Sequence, residues 1–230
     1  MSCFYALLDN IPTNTTGFEI AERPVIPANK QVIEKVQVQT RHGSLIKKRM
    51  FQDRTISVVF NILEERNIKH DLRLFKGLLS NKKTLQFSDD DVYFKINNIE
   101  FGDFDNEVEF YGYGTVVFDI QPFDYAVTPP RFLYQPETLY SMGTIEADPL
   151  ISIFGQGDID LHINEQVIQL KGVRDFIHID CDLKEAYREN DEGMENRMIG
   201  KFPQLLIGNT DVSWKGNVEY VVIEPRWRYR

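Results

Sequence analysis

Apolar and polar residues alternate with a period of two along most of the chain. Ile56, Val58, Phe60 and Ile62 alternate with Ser57, Val59, Asn61 and Leu63, and Val92, Phe94 and Ile96 alternate with Tyr93, Lys95 and Asn97. Successive side chains of a strand point to opposite faces, so this spacing predicts strands with one face in a core. Val116, Phe118 and Ile120 repeat the pattern, as do Ile151 and Ile153, then Ile159, Leu161 and Ile163, and the run from Phe176 and Ile177 to Ile179. Many short strands separated by turn residues predict a mainly β protein built of sandwiches or barrels. Helical spacing stands out over Lys69 to Asn81, where Leu72, Phe75, Leu78 and Leu79 form one apolar stripe that Gly77 weakens. Leu183 to Glu189, with Ala186 and Tyr187 in a polar surround, fits either a short helix or a turn between strands.

Pro122, Pro129, Pro130 and Pro136 crowd one stretch together with Tyr125, Phe132, Tyr134 and Tyr140. Proline removes a ladder donor and fixes φ, so the stretch reads as a crossing between two domains rather than a strand. The expected boundary lies near residue 135, giving domains 1–135 and 136–230. No tandem repeat, low-complexity tract or like-charge block longer than Asp89-Asp90-Asp91 interrupts them.

Charge narrows the partners. Lys plus Arg number 26 against 35 Asp plus Glu, a net charge of −9, and that sign repels the phosphates on which non-specific nucleic-acid binding depends. A mean hydropathy of −0.34 and the lack of an apolar run near the ~20 residues of a spanning helix argue against membrane insertion. The apolar stretch Phe4 to Leu8 is too short for a signal-peptide core, and the first basic residue is Arg23. Cys3 and Cys181 lie too far apart in sequence for a zinc motif or a disulfide scaffold; both are expected as reduced thiols, Cys181 in a strand.

Candidate chemistry is sparse. Asp158 with Asp160, and Asp180 with Asp182, place acids at i and i+2, the spacing of a solvated strand face, although a glycosidase would also need two carboxyls across a cleft. Asp103, Asp105 and Glu107 offer oxygens suited to calcium, but Val108 stands where an EF-hand loop needs its glycine, so an ordinary acidic loop is expected. His42, His70, His162 and His178 lie in no nucleophile or metal motif, and Gly155-Gln156-Gly157 reads as a hairpin turn. The segment Pro225-Arg226-Trp227-Arg228-Tyr229-Arg230 can bury its rings on one side and pair its guanidiniums with acids on the other, or meet a neighbouring subunit. No catalytic residue, cofactor or metal is expected.

The order of several short patterns resembles the distal tail protein (Dit) family of long-tailed bacteriophages. In the first half these are Arg41-His42-Gly43-Ser44-Leu45, then Arg54 entering the strand Ile56 to Phe60, and Gly112-Tyr113-Gly114-Thr115-Val116 running to Pro122-Phe123-Asp124-Tyr125. In the second half they are Pro149, Ile151 to Gly157, His162-Ile163-Asn164, Ile179-Asp180-Cys181 with Ala186-Tyr187, Gly200 to Leu205, Gly208-Asn209, Trp214 and Pro225 to Arg228.

The resemblance implies an N-terminal β-sandwich-like domain with one helix that forms a ring, commonly hexameric, and a C-terminal galectin-like β-sandwich that projects outward. It implies a tail-tip hub in the virion, assembled in the bacterial cytoplasm. Such a hub joins the tail tube protein to tip, fibre or receptor-binding proteins and lets the tape measure protein and DNA pass. An acidic chain suits a lumen that must not trap phosphate. Phe123, Tyr125, Arg226, Trp227 and Arg228 are then candidate subunit contacts, within aromatic-rich segments near Phe101 to Tyr113 and Phe123 to Tyr140. The alternative is a carbohydrate-binding module for host adsorption, with His162, Asn164 and Trp214 as candidate sugar contacts and Trp227 as a second stacking ring. Glu165 and Gln166 stand where a galectin-type arginine would be expected.

Overall fold

Strands form wherever the alternation leaves one face apolar, and they divide between two units, Met1–Asp124 and Tyr125–Arg230. The computed structural model describes residues 4–37, 42–63, 68–108, 111–188, 192–193 and 197–230. The expected boundary near residue 135 falls inside the second unit, because Arg131–Leu133 are already hydrogen-bonded into that unit's sheet.

The first unit runs β1 (Ala6–Leu8), β2 (Ile11–Pro12), β3 (Phe18–Ile20), β4 (Gln31–Gln37), β5 (Ser44–Phe51), β6 (Arg54–Leu63), α1 (Ile68–Leu79), β7 (Thr84–Phe87), β8 (Val92–Val108) and β9 (Tyr111–Ile120). Its main sheet has the order β2-β1-β7-β8-β9-β6-β3. The even positions Ile56, Val58 and Phe60 of β6 and Val116, Phe118 and Ile120 of β9 are fully buried, and register pairs Val58 with Val116 on the same face. Helix α1 closes this face: Phe75 stacks on Phe18 at 3.7 Å between ring centroids and meets Phe60 edge-on at 5.1 Å. The helix ends two residues earlier than its sequence pattern predicts. The Ser80 hydroxyl turns back to the Lys76 carbonyl, and the Lys82 amide closes a turn on Leu79. The acidic residues Asp105 and Glu107, and Arg41 of the first resembling pattern, lie outside the described side chains.

Strands β4 and β5 stand apart. They form a two-stranded ribbon that pairs, among the described residues, only with itself, from Gln31 opposite Phe51 to Gln37 opposite Ser44. Gly43 sits at its turn with φ +82, a conformation that costs glycine nothing.

The second unit contains most of β10 (Asp124–Ala126), then β11 (Arg131–Leu133), β12 (Glu137–Tyr140), β13 (Leu150–Ile163), β14 (Gln166–Val173), β15 (Phe176–Asp180), β16 (Glu185–Arg188), β17 (Glu192–Gly193), β18 (Met198–Ile199), β19 (Asn209–Glu224) and β20 (Arg228–Tyr229). The order is β11-β19-β13-β15-β16-β17, with β12 on β19, β14 on β13 and β18 on β14. The long strands β13 and β19 run side by side and change partners half-way: β13 pairs β15 over Leu150–Phe154 and β14 from Gly157 on. The sheet thereby curls round one core of Ile151, Ile153, Leu161, Ile163, Val221 and Ile223, as a sandwich does.

Several expectations need correction here. The proline-rich stretch holds two short strands, β10 and β11, placed between its prolines where no ladder donor is lost. Residues 185–188 are strand β16, because Ala186 fills a core slot beside Ile179 that a helix turn would not reach. Cys181 is buried in the turn after β15 rather than in a strand. Gly155-Gln156-Gly157 is a bulge inside β13, not a hairpin turn. A Cβ on Gly155 would lie 2.3 Å from the Asn217 carbonyl oxygen, and one on Gly216 (φ +113) 2.6 Å from that of Asp158. Only glycine allows the two backbones to approach so closely at this bend.

Gly155→Ala is therefore expected to lower stability by about 1–3 kcal/mol or more. Gly77→Ala, whose Cβ would meet nothing within 4 Å on α1, should raise it by up to about 1 kcal/mol. Urea midpoints of the two variants shifting in the same direction would contradict this reading.

Candidate functional site

The C-terminal segment shows how the second unit handles charge. Arg226, at φ 51, turns back so that its Nη1 and Nη2 donate to the two oxygens of Asp180 at 2.9 and 3.0 Å. Asp180 Oδ1 also accepts from the amides of Asp182 and Leu183, closing the turn that carries Cys181. Burial pushes the Asp180 carboxyl up, but the Arg226 and amide bonds together outweigh it and hold the group below the ordinary 3.8. Asp180 is 4% exposed, so the expected solvated face does not apply to it; the guanidinium replaces the lost water. Asp158 by contrast is exposed and bonded to Lys171 and the Gly172 amide.

The next arginine repeats the device. Arg228 donates from Nη2 to Asp148 at 2.9 Å and from Nε to the Glu146 carbonyl, while Trp227 between the two arginines is 4% exposed. Trp227 belongs to the unit's own core, with its remaining edge on a groove of about 300 Å³ beside Arg131, Glu137 and Tyr140. Of the other candidate subunit contacts, Tyr125 is 3% exposed and Phe123 is half-buried edge-on to Phe51 at 5.2 Å. The last turn of the unit thus spends Arg226, Trp227 and Arg228 internally. In the first unit Arg54 does the same, its guanidinium bonded to Asp124 and to the Pro27 carbonyl.

The three candidate sugar contacts do not converge. Leu161 pairs with Trp214, and His162 with Ser213. Directly opposed residues share a face, so Trp214 packs against the core beside Leu161 while His162 points to the opposite face. Asn164 occupies the two-residue turn at φ 52, and its Oδ1 accepts a hydrogen bond from the Asp211 amide at 2.8 Å. His162 Nε2 is buried without a hydrogen-bond partner.

One arrangement escaped the sequence reading. The outer face of the second unit's sheet carries a continuous row of rings across the four strands β19, β13, β15 and β16 and the residue after β11. Tyr134 meets Tyr220 at 5.7 Å, Tyr220 stacks on Phe154 at 4.4 Å, Phe154 meets Phe176 at 5.7 Å, Phe176 meets His178 at 5.2 Å and His178 meets Tyr187 at 5.2 Å. Arg188 lies over Phe176, and Tyr134 is 72% exposed. Tyrosine, phenylalanine and arginine in one half-exposed patch are the composition of a protein-binding surface. The signal was present in β13 and β15, where both alternation phases are apolar or aromatic around Ile153-Phe154 and Phe176-Ile177.

Within this row Ser152 Oγ and His178 Nδ1 are hydrogen-bonded at 2.7 Å. A nucleophile pair needs a third group to orient the base. Asp180, two residues on along the same face, is committed to Arg226 and two backbone amides. Burial pushes the neighbouring Cys181 thiol up to about 12, which makes it inert as a thiolate. No group of three or more metal-ligating side chains occurs among the described residues.

No family model matches the sequence, and no curated protein matches it. The fold does have relatives. The SPP1 Dit protein, described as a paradigm of the hub adsorption apparatus in phages that infect Gram-positive hosts, aligns over 97% of this chain and 99% of its own, with a TM-score of 0.68 and 15% identity.

The chain has the Dit fold.

A chain of the phage P2 baseplate in its activated conformation with Ca is similar over 100% of this chain and 99% of its own (TM-score 0.59, 11% identity). Its Sr counterpart is similar over 96% and 97% (TM-score 0.55, 10% identity). The Dit fold thus spans both β units, at identities where individual side chains have largely been exchanged.

The Asp180–Arg226 pair gives a test of how this version of the Dit fold is held. Arg226→Met leaves a carboxylate buried without its partner and should cost about 3–5 kcal/mol, whereas Asp180→Asn combined with Arg226→Met should cost less than Arg226→Met alone. Because folding lowers the Asp180 pKa, its contribution is complete above 3.8 and is lost as pH falls below that value. The stability difference between wild type and Asp180→Asn, measured by urea unfolding, should shrink as the pH is taken below 3.8. A difference that grew in acid would refute the assignment.

Proposed function

We propose that this protein is a structural subunit of a bacteriophage tail tip, a distal tail protein that assembles into a hub ring. The ring, hexameric in this reading, joins the tail tube protein to the tip and fibre or receptor-binding proteins and leaves a lumen for the tape measure protein and DNA. It is made and assembled in the bacterial cytoplasm and ends in the virion tail.

The observation that carries the proposal is fold likeness to the SPP1 Dit hub protein over nearly the full length of both chains, at a TM-score of 0.68. Both units are included, so the likeness is to a whole two-unit architecture rather than to a common β-sandwich. Three features fit a role as scaffold. The candidate arginines and tryptophan of the C-terminus hold the second unit together. The aromatic row gives that unit a surface for a neighbouring protein. The net charge of −9 suits a conduit through which a polyanion must slide. Ring closure needs head-to-tail contacts between copies whose rotation closes.

The separation of His162 and Trp214 on opposite faces gives a galectin-type sugar site no foothold. Nor do Ser152 and His178, with Asp180 already engaged, call for hydrolysis as the activity.

Purified protein analysed by size exclusion with light scattering should give a multi-subunit species, seen in negative stain as rings with a central hole. A strict monomer at every concentration, with tail proteins present or absent, would overturn the proposal.

A further inference from the structure

An isolated two-stranded ribbon is at best marginally stable in water, and the ribbon β4–β5 has no third strand among the described residues. Among the described residues neither of its outer edges has a neighbouring strand, and a folded protein normally covers or protects such edges. Its side chains sharpen the point. On one face, register sets Lys35 opposite Ile46 and Ile33 opposite Lys48. This checkerboard contains no acidic residue, and Ile33 and Ile46 are 52% and 57% exposed. Arg49 engages the ribbon's one acid, Glu34, on the opposite face.

The charge is equally lopsided. Residues 31–51 contain five basic residues and one acid, a balance of +4, so the remainder of the chain carries −9 − 4 = −13. The ribbon is a basic, apolar arm on an acidic body, and a second copy of the same chain offers it a complementary surface. The open outer face of the first unit's sheet, opposite the face closed by α1, supplies one. Glu19, Glu100 and Asp119 stand there beside half-buried Val59 and Val117, with Lys95 the one basic residue on β3, β6, β8 and β9 of that face.

We propose that the β4–β5 ribbon is the subunit-joining arm: its Lys35/Ile46/Ile33/Lys48 face docks on the Glu100/Asp119 face of the first unit of a neighbouring copy. The contact is heterologous, since the arm and its receiving face are different surfaces, and contacts of that kind generate closed rings. Burial of the isoleucines supplies affinity, and the lysine–carboxylate pairs set register and partner choice. The proposal rests on the ring reading and names the surface that makes the ring.

The test uses the full chain and measures assembly by light scattering, with thermal unfolding of each variant as a control on folding. Lys35→Glu with Lys48→Glu, both on exposed strand positions, should leave unfolding unchanged and weaken assembly by about tenfold or more. Adding Glu100→Lys and Asp119→Lys to that variant should restore assembly. A Lys35→Glu/Lys48→Glu protein that assembles like wild type overturns the arm and leaves the ring standing. Loss without restoration overturns the receiving face. A wild type that never assembles overturns the hub itself.

Discussion

The close approach of β13 and β19 is the constraint on which the second unit depends. Two strands of 14 and 16 residues can both line one core only if they bend together, and a bend in a hydrogen-bonded pair forces the backbones into contact. Gly155 against Asn217 and Gly216 against Asp158 remove the side chains that would collide there. Once bent, β13 serves β15 with one half and β14 with the other, so Ile153 and Leu161 meet the same core from two directions. The outer ring row follows from the same register, because Phe154 is aligned with Phe176 on one side and Tyr220 on the other.

Charges are placed by the same economy of space. Arg54, Arg226 and Arg228 all lie where a strand starts or the chain turns, and each finds a carboxylate or carbonyl within its own unit. A buried guanidinium without such partners would be prohibitive, and a carboxylate without a donor would be protonated. These pairs join segments distant in sequence: Asp180 and Arg226 are 46 residues apart, and Glu146 and Arg228 82. They fix the C-terminal turn, which keeps Trp227 inside. Function on this scaffold is therefore to be sought on surfaces left over after internal pairing is complete, namely the ring row and the β4–β5 ribbon.

The two surfaces differ physically. The ring row lies on the mutually paired strands β19, β13, β15 and β16, so its shape is preset and a partner meets a rigid patch. Among the described residues the ribbon is joined to no other strand, so its order and its docking are coupled. In the proposed ring, an arm of that kind and a rigid body with matching charge are compatible parts.

The sequence by itself determined the mainly β character, helix α1 and the apolar faces of β6, β9 and β13, since these depend on local period and each residue's own hydropathy. The order of short patterns was also enough to suggest the Dit likeness over the whole chain. It did not determine where the units divide, that Gly155-Gln156-Gly157 bends a strand instead of ending one, or that residues 185–188 join a sheet. Nor could it show that His162 and Trp214 face apart, that Asp180 is buried against Arg226, or that β4 and β5 form a ribbon with no third strand among the described residues. Those outcomes depend on which strand lies beside which and in what register. Register is set by the sum of many contacts between distant segments, so no single stretch of chain contains it, and only the tertiary structure decided it.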